Sequence, residues 1–143
     1  MPSSADLLDT LYRDVVREHY RSPRNRKPLD CPSASAQVHN PLCGDQVRVE
    51  VRLDAGRVAE VSARARGCSI AVAAASVMTE LVRERRAEEV KPLATAFAQI
   101  VEGKAAAAEL DERLRAFACV ARLPARERCA LLAWEALEQA LVQ

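Results

Sequence analysis

The chain has 143 residues, 50% apolar and 29% charged, with 21 basic and 20 acidic side chains. That size and balance suit one soluble domain, residues 1–143, with one sizeable core, and they exclude a disordered chain. A net charge of +1 gives no electrostatic case for nucleic acid or an anionic membrane as partner. No apolar run approaches a membrane span, and the opening MPSSADLLDT lacks a basic and then hydrophobic signal pattern, so a cytoplasmic protein is expected.

Ser3 or Ser4 can cap a first helix, on which Leu8, Leu11, Tyr12, Val15 and His19 recur at helical spacing. Ser22-Pro23 ends it. Residues 22–42 hold four of the seven prolines and read as a long, mostly irregular connection. From Gln46 the pattern turns to alternation: Val47, Val49, Val51 and Leu53 on one side, Arg48, Glu50 and Arg52 on the other. "DAGR" turns the chain, with Gly56 free to take a positive φ. "VAEVSARAR" returns, with Ala59, Val61, Ala63 and Ala65 expected on the buried face and the opposite face expected wet.

Gly67 breaks the strand, and "CSIAVAAASVMTELVRERR" reads as a helix with Cys68 at its N-terminus. Helical pattern recurs from about Pro92 to Gly103 and from Ala106 to Phe117. Pro124 fits the first turn of a last helix. There Cys129, Leu132, Ala133, Ala136, Leu137 and Ala140 share one face, so Cys129 is expected to point inward.

The five cysteines are Cys31, Cys43, Cys68, Cys119 and Cys129. Their odd number and long spacings argue against a disulfide framework, and the absence of any CxxC pair removes zinc-ribbon and thioredoxin motifs. A metal site must therefore be assembled from distant segments. Cys43 stands at the mouth of a strand in "NPLCGDQVRVEVRL", where a turn needs Asn, Pro, Gly and Asp but not cysteine. A hairpin's entry and exit lie at one end of its sheet, so Cys43 and Cys68 can be neighbours, and a terminal helix can bring Cys129 to them. Asp45 offers a fourth, oxygen ligand. Three thiolates and a carboxylate suit tetrahedral zinc, and equally an iron–sulfur cluster with one exchangeable ligand. Arg66, Arg126 and Arg128 stand close in sequence to balance the negative site or to receive an anionic partner.

Each residue also has a plainer reading. Cysteine is often a small buried hydrophobe, the default for Cys129 on an apolar helix face. Asp45 alone is a turn residue. Cys31 and Cys119 read as bystanders, His19 as a helix-face residue, His39 as solvated and Trp134 as packing.

"NPLCGD", "GCSIAVAAASVMTE" and "RERCALLAWEAL" resemble the three cysteine motifs of the U-type iron–sulfur cluster assembly proteins, the family of IscU, SufU and the N-terminal domain of NifU. "LYRDVVREHYRSPRN" resembles that family's opening helix and the stretch after it. The resemblance implies an α+β fold: a small antiparallel sheet of about three strands packed by helices on one side. It implies Cys43, Asp45, Cys68 and Cys129 as metal ligands, a cysteine desulfurase as partner, and downstream iron–sulfur acceptor or carrier proteins. Arg128 stands where Isc-type members carry histidine, "LPARER" replaces their chaperone motif, and the interval from Cys68 to Cys129 is longer. These features are similar to SufU, which implies a Zn²⁺-bound sulfur acceptor, a possible zinc-dependent sulfurtransferase stimulating a SufS-type partner, with Cys43 taking the sulfur. Three rival readings stay open: a scaffold that builds a [2Fe–2S] cluster on the same residues, a binding domain with structural zinc, and a Cys43–His39 hydrolase.

Overall fold

The computed structural model describes residues 4–42, 44–104 and 110–142. Helix α1 (Ser4–Arg21) is followed by strands β1 (Ala34–His39), β2 (Gln46–Asp54) and β3 (Arg57–Arg66). Helices α2 (Ser69–Val82), α3 (Val90–Val101), α4 (Glu112–Arg115) and α5 (Pro124–Leu141) complete the chain, with short 3₁₀ turns at Ala87–Glu89 and Ala116–Arg122. The strands form an antiparallel sheet in the order β1-β2-β3. Helix α5 packs on β1 and β2, and α2 packs on β3 and α5. This is the expected α+β class.

The alternation in β2 works as read: Val47, Val49 and Val51 are fully buried and meet α5. They join Met78 of α2, Phe97 of α3, Phe117, Trp134 and Leu137 in one core. Phe97 bridges two aromatic contacts, edge-on to Phe117 at 5.3 Å and tilted against Trp134 at 5.7 Å between centroids. Such pairs add stabilisation beyond the apolar area they bury.

Two helical stretches are shorter than expected: α2 stops at Val82, and of the stretch 106–117 only Glu112–Arg115 is α-helical, with 106–109 outside the described residues. Three expectations about the sheet also need correction. The stretch 22–42 is not wholly irregular, because residues 34–39 form β1. "ASAQVH" carries one large apolar residue, Val38, so its alternation has little to show. Second, Val58, not Ala59, sits with Val61 and Ala63 in the core. The register shifts between Arg52 and Leu53, leaving Ala59 the extra residue of a bulge that restores the inward phase one residue earlier. Third, the outer face of the sheet is not uniformly wet. The segment from Asn25 to Ser33 straps across it: the Asn25 carbonyl accepts from Ala63 N–H, the Leu29 N–H donates to Glu50, and the Ser33 N–H donates to the Val51 carbonyl. Glu50 and Ser62 are buried beneath that strap.

The strap is anchored to α2. His19 Nδ1 lies 2.7 Å from Ser76 Oγ, which also accepts from the Arg24 N–H at 2.9 Å. The Asn25 side-chain amide donates to Thr79 Oγ1, and Asn25 takes a φ of 55°. Asparagine tolerates the left-handed region better than other non-glycine residues.

Candidate metal centre

"NPLCGD" is the connection between β1 and β2. The Asn40 N–H donates to the Asp45 carbonyl, the Gly44 N–H to the Asn40 carbonyl, and the Leu42 N–H to Asn40 Oδ1. Gly44 has a φ of 78°, where a β-carbon would strain the backbone. Cys43 lies outside the described residues. Leu42 beside it is 94% exposed, a large apolar side chain offered to solvent.

At the other end of the hairpin, β3 runs through Gly67 into α2, with Cys68 as its N-cap residue. Asp45 is buried, and its Oδ2 accepts a hydrogen bond from the Cys68 N–H at 3.3 Å. A carboxylate at a helix N-terminus is favoured by the unpaired N–H groups and the helix dipole. Cys129 arrives from the second turn of α5 and is 1% exposed. The two sulfur atoms and a carboxylate oxygen of Asp45 all lie within 4.8 Å of one another.

Gly67 makes this approach possible. A β-carbon at that position would stand no farther than 2.7 Å from the three carboxylate atoms of Asp45. Two soft sulfurs and one hard oxygen, clustered in a recess shaped by a glycine, fit the donor chemistry of zinc or of an iron–sulfur cluster.

Arg126, exposed on the first turn of α5, faces the cluster. Its guanidinium is held above its usual pKa by the charge of Cys68 first, then by hydrogen bonds to Cys129 and Cys68. Arg128 turns away along the helix and pairs with Glu135. Arg66 is exposed on the outer face of the sheet. Among the described residues, Arg126 is the one of these three arginines that bonds to the Cys68 and Cys129 thiols.

Two further residues, Cys119 and Tyr12, stand near the cluster. Cys119, buried on the 3₁₀ turn before α5, takes a hydrogen bond from Arg122 at 3.0 Å. Tyr12 lines the same hollow as Cys119, and its phenol is pushed above 10 by burial first, then by Cys119 and Cys68, with Arg126 opposing. A hollow of about 460 Å³ is lined by Tyr12, Arg13, Cys119, Arg122 and Leu123. The remaining cysteine, Cys31, is exposed, and so is His39.

Comparison with known proteins agrees in both sequence and fold. The chain is 36% identical over 137 residues to the zinc-dependent sulfurtransferase SufU of Bacillus subtilis, covering 95% of this chain and 92% of that protein. It is also 36% identical over 136 residues to the iron–sulfur cluster assembly scaffold protein IscU of Streptococcus pyogenes, covering 94% and 84%. A crystal structure of a hypothetical protein superposes with a TM-score of 0.86 at 32% identity, over 94% of this chain and 99% of that one. The N-terminal part of a NifU-like protein from Brucella abortus has the same fold, with a TM-score of 0.84 at 24% identity over 95% of each chain. Residues 11–143 match the NifU-like N terminal domain family, and the chain belongs to that family.

Proposed function

We propose that this chain is an iron–sulfur cluster biogenesis protein of the SufU kind. It accepts sulfur from a cysteine desulfurase at Cys43, and Cys43, Asp45, Cys68 and Cys129 hold Zn²⁺. The whole chain acts as one such domain in the cytoplasm. The observation that supports this most is the convergence of Asp45, Cys68 and Cys129 from three separate segments within 4.8 Å. The zinc-dependent name of a relative at 36% identity points the same way.

The transfer is a thiol–persulfide exchange. The Cys43 thiolate attacks the outer sulfur of the partner's persulfide. A new S–S bond forms on Cys43, the partner's S–S bond breaks, and the partner leaves as a thiolate, so sulfur and charge balance without an added oxidant or reductant. When bound, the zinc ion supplies positive charge that favours ionised thiols. Asp45 contributes a hard oxygen held in place by the Cys68 N–H. Arg126 places a cation against Cys68 and Cys129 and offsets their negative charge. The exposed Leu42 beside Cys43 offers apolar surface to the incoming partner.

The same donors serve a scaffold, and the scaffold name of the Streptococcus relative favours that second reading. Native mass spectrometry of anaerobically purified protein separates the two. One zinc per chain, and gain of one sulfur from a SufS-type desulfurase with free cysteine in the wild type but not in Cys43→Ser, is the expected result. Two irons with two sulfides, passed on to an apo-acceptor, would replace it with the scaffold. Unfolding of Cys43→Ser would mark the metal as structural. A folded, metal-free wild type would overturn all three readings.

A further inference from the structure

The outer face of the sheet carries a concentration of positive charge that the metal centre does not use. In register across the strands, Gln37 pairs with Arg48 and Arg48 with Arg64, while His39 pairs with Gln46 and Gln46 with Arg66. Arg26 leans in from the strap, and with Gln37, Gln46, Arg48, Arg64, Ala65 and Arg66 it lines a hollow of about 390 Å³. Four guanidinium groups thus meet around one depression, on a chain whose net charge is +1.

Arg48 and Arg64 stand directly opposite one another. Like charges in that relation destabilise an antiparallel pair. Glu50, buried beneath the strap, relieves part of this from 3.8 Å and 3.6 Å. Arg26 and Arg66 have no carboxylate within ion-pair reach among the described residues, so the face retains excess charge.

We propose that this face binds an extended, acidic segment of a partner protein, one with carboxylates at alternate positions. The argument is one of spacing and charge. Residues i and i+2 of a strand project to the same face about 6.8 Å apart. Arg64 and Arg66 form one such pair of donors, and Gln46 and Arg48 a second, parallel row. An extended chain laid along the strands presents alternate side chains at the same repeat, so two successive carboxylates meet two successive guanidinium groups. Arginine's planar fork suits bidentate pairing with each. The two rows lie at the end of the hairpin where Gln46 follows Asp45 and Arg66 precedes Gly67, so a partner seated here is beside the metal centre. The proposal does not depend on sulfur transfer.

The test is fluorescence anisotropy with the full chain at about 0.1 M salt, where exposed charges more than ~10 Å apart are screened. One labelled peptide carries glutamate at every second position; the other has the same composition with its glutamates in one block. Inorganic pyrophosphate is the third probe. The expected result is at least about tenfold tighter binding of the alternating peptide, lost in Arg66→Gln and in Arg26→Gln, and kept in Lys91→Gln. Both arginine variants leave the partners of Glu50 intact, so folding is preserved and is checked by melting. Equal affinity for the two peptides, or binding indifferent to Arg66 and Arg26, would overturn the proposal. Tighter binding of pyrophosphate than of either peptide would overturn it in favour of a small phosphate-bearing ligand.

Discussion

The Asp45 carboxylate rests against the α-carbon of Gly67, where a side chain's first carbon would stand no farther than 2.7 Å from its carboxylate atoms. The residue that ends β3 thus sets the position of a candidate ligand on the neighbouring strand's entry. Gly67→Ala is therefore expected to displace Asp45 and not merely to stiffen the chain. Overpacking of this kind costs about 1–3 kcal/mol. The expected outcome is a lower melting temperature together with faster loss of metal to a chelator. If Gly67→Ala melts lower but keeps its metal as firmly as wild type, Asp45 does not need this position.

Asp45 also holds the start of α2, through the bond from the Cys68 N–H. Two substitutions divide its roles. Asp45→Asn keeps an acceptor of the same shape and removes the charge; Asp45→Ala removes both. A hydrogen bond to a charged group contributes about 1.5–3 kcal/mol, so Asp45→Ala is expected to lower stability by a figure of that order and Asp45→Asn by less. Both are expected to weaken metal retention. Denaturant melts with metal titrations check this, and equal stability of the two variants would remove the helix-capping role.

The hairpin, the helix starts and the inward course of Cys129 were legible because their patterns are strong: three valines in alternation, a glycine at a strand end, a proline at a helix start. β1 was not, since "ASAQVH" has too few large apolar residues for alternation to register. The bulge at Ala59 was invisible because Ala59 continues the alternation of Val61, Ala63 and Ala65, so the unshifted phase already reads as a complete apolar face. The residues from His19 to Asn25 read as part of a family signature, and the structure assigns them mechanical work: His19, Arg24 and Asn25 fasten the strap to Ser76 and Thr79. The contacts of Tyr12 and Cys119 with the thiols' surroundings depend on packing between α1 and the 3₁₀ turn before α5, which no local pattern encodes.

The hairpin turn between β2 and β3 stores removable strain. Ala55 has a φ of 52° and Gly56 of 80°, the signs of a turn whose two central residues are both left-handed. Glycine meets that demand, whereas alanine there costs roughly 1–2 kcal/mol. Ala55→Asn is expected to raise stability by about 0.5–1 kcal/mol, since asparagine tolerates this region. The turn lies at the opposite end of the hairpin from Asp45 and Cys68, so sulfur acceptance should not change. A neutral or destabilising result in a thermal melt would mean the turn relaxes in solution.

His19 gives the fold a dependence on pH that its neighbours determine. It is 3% exposed, with Nδ1 at Ser76 Oγ and Nε2 at 3.5 Å from Glu80. When Ser76 Oγ donates to Nδ1, the neutral imidazole carries its proton on Nε2, toward Glu80. Burial first, then the charge of Arg24, hold the imidazole below its ordinary 6.5, with Glu80 opposing. The folded state therefore binds this proton less readily than the unfolded chain. Its contribution is fully present above the unfolded value of 6.5 and is lost as pH falls from there toward the depressed folded value. Melting temperature should decline from about pH 7 to about pH 5 by more in the wild type than in His19→Gln. His19→Gln should start lower at neutral pH, because the contacts to Ser76 and Glu80 are re-made imperfectly. Parallel pH profiles for the two proteins would show that His19 does not carry this dependence, and would shift attention to the carboxylates that share the Arg24 and Arg113 network around Glu80.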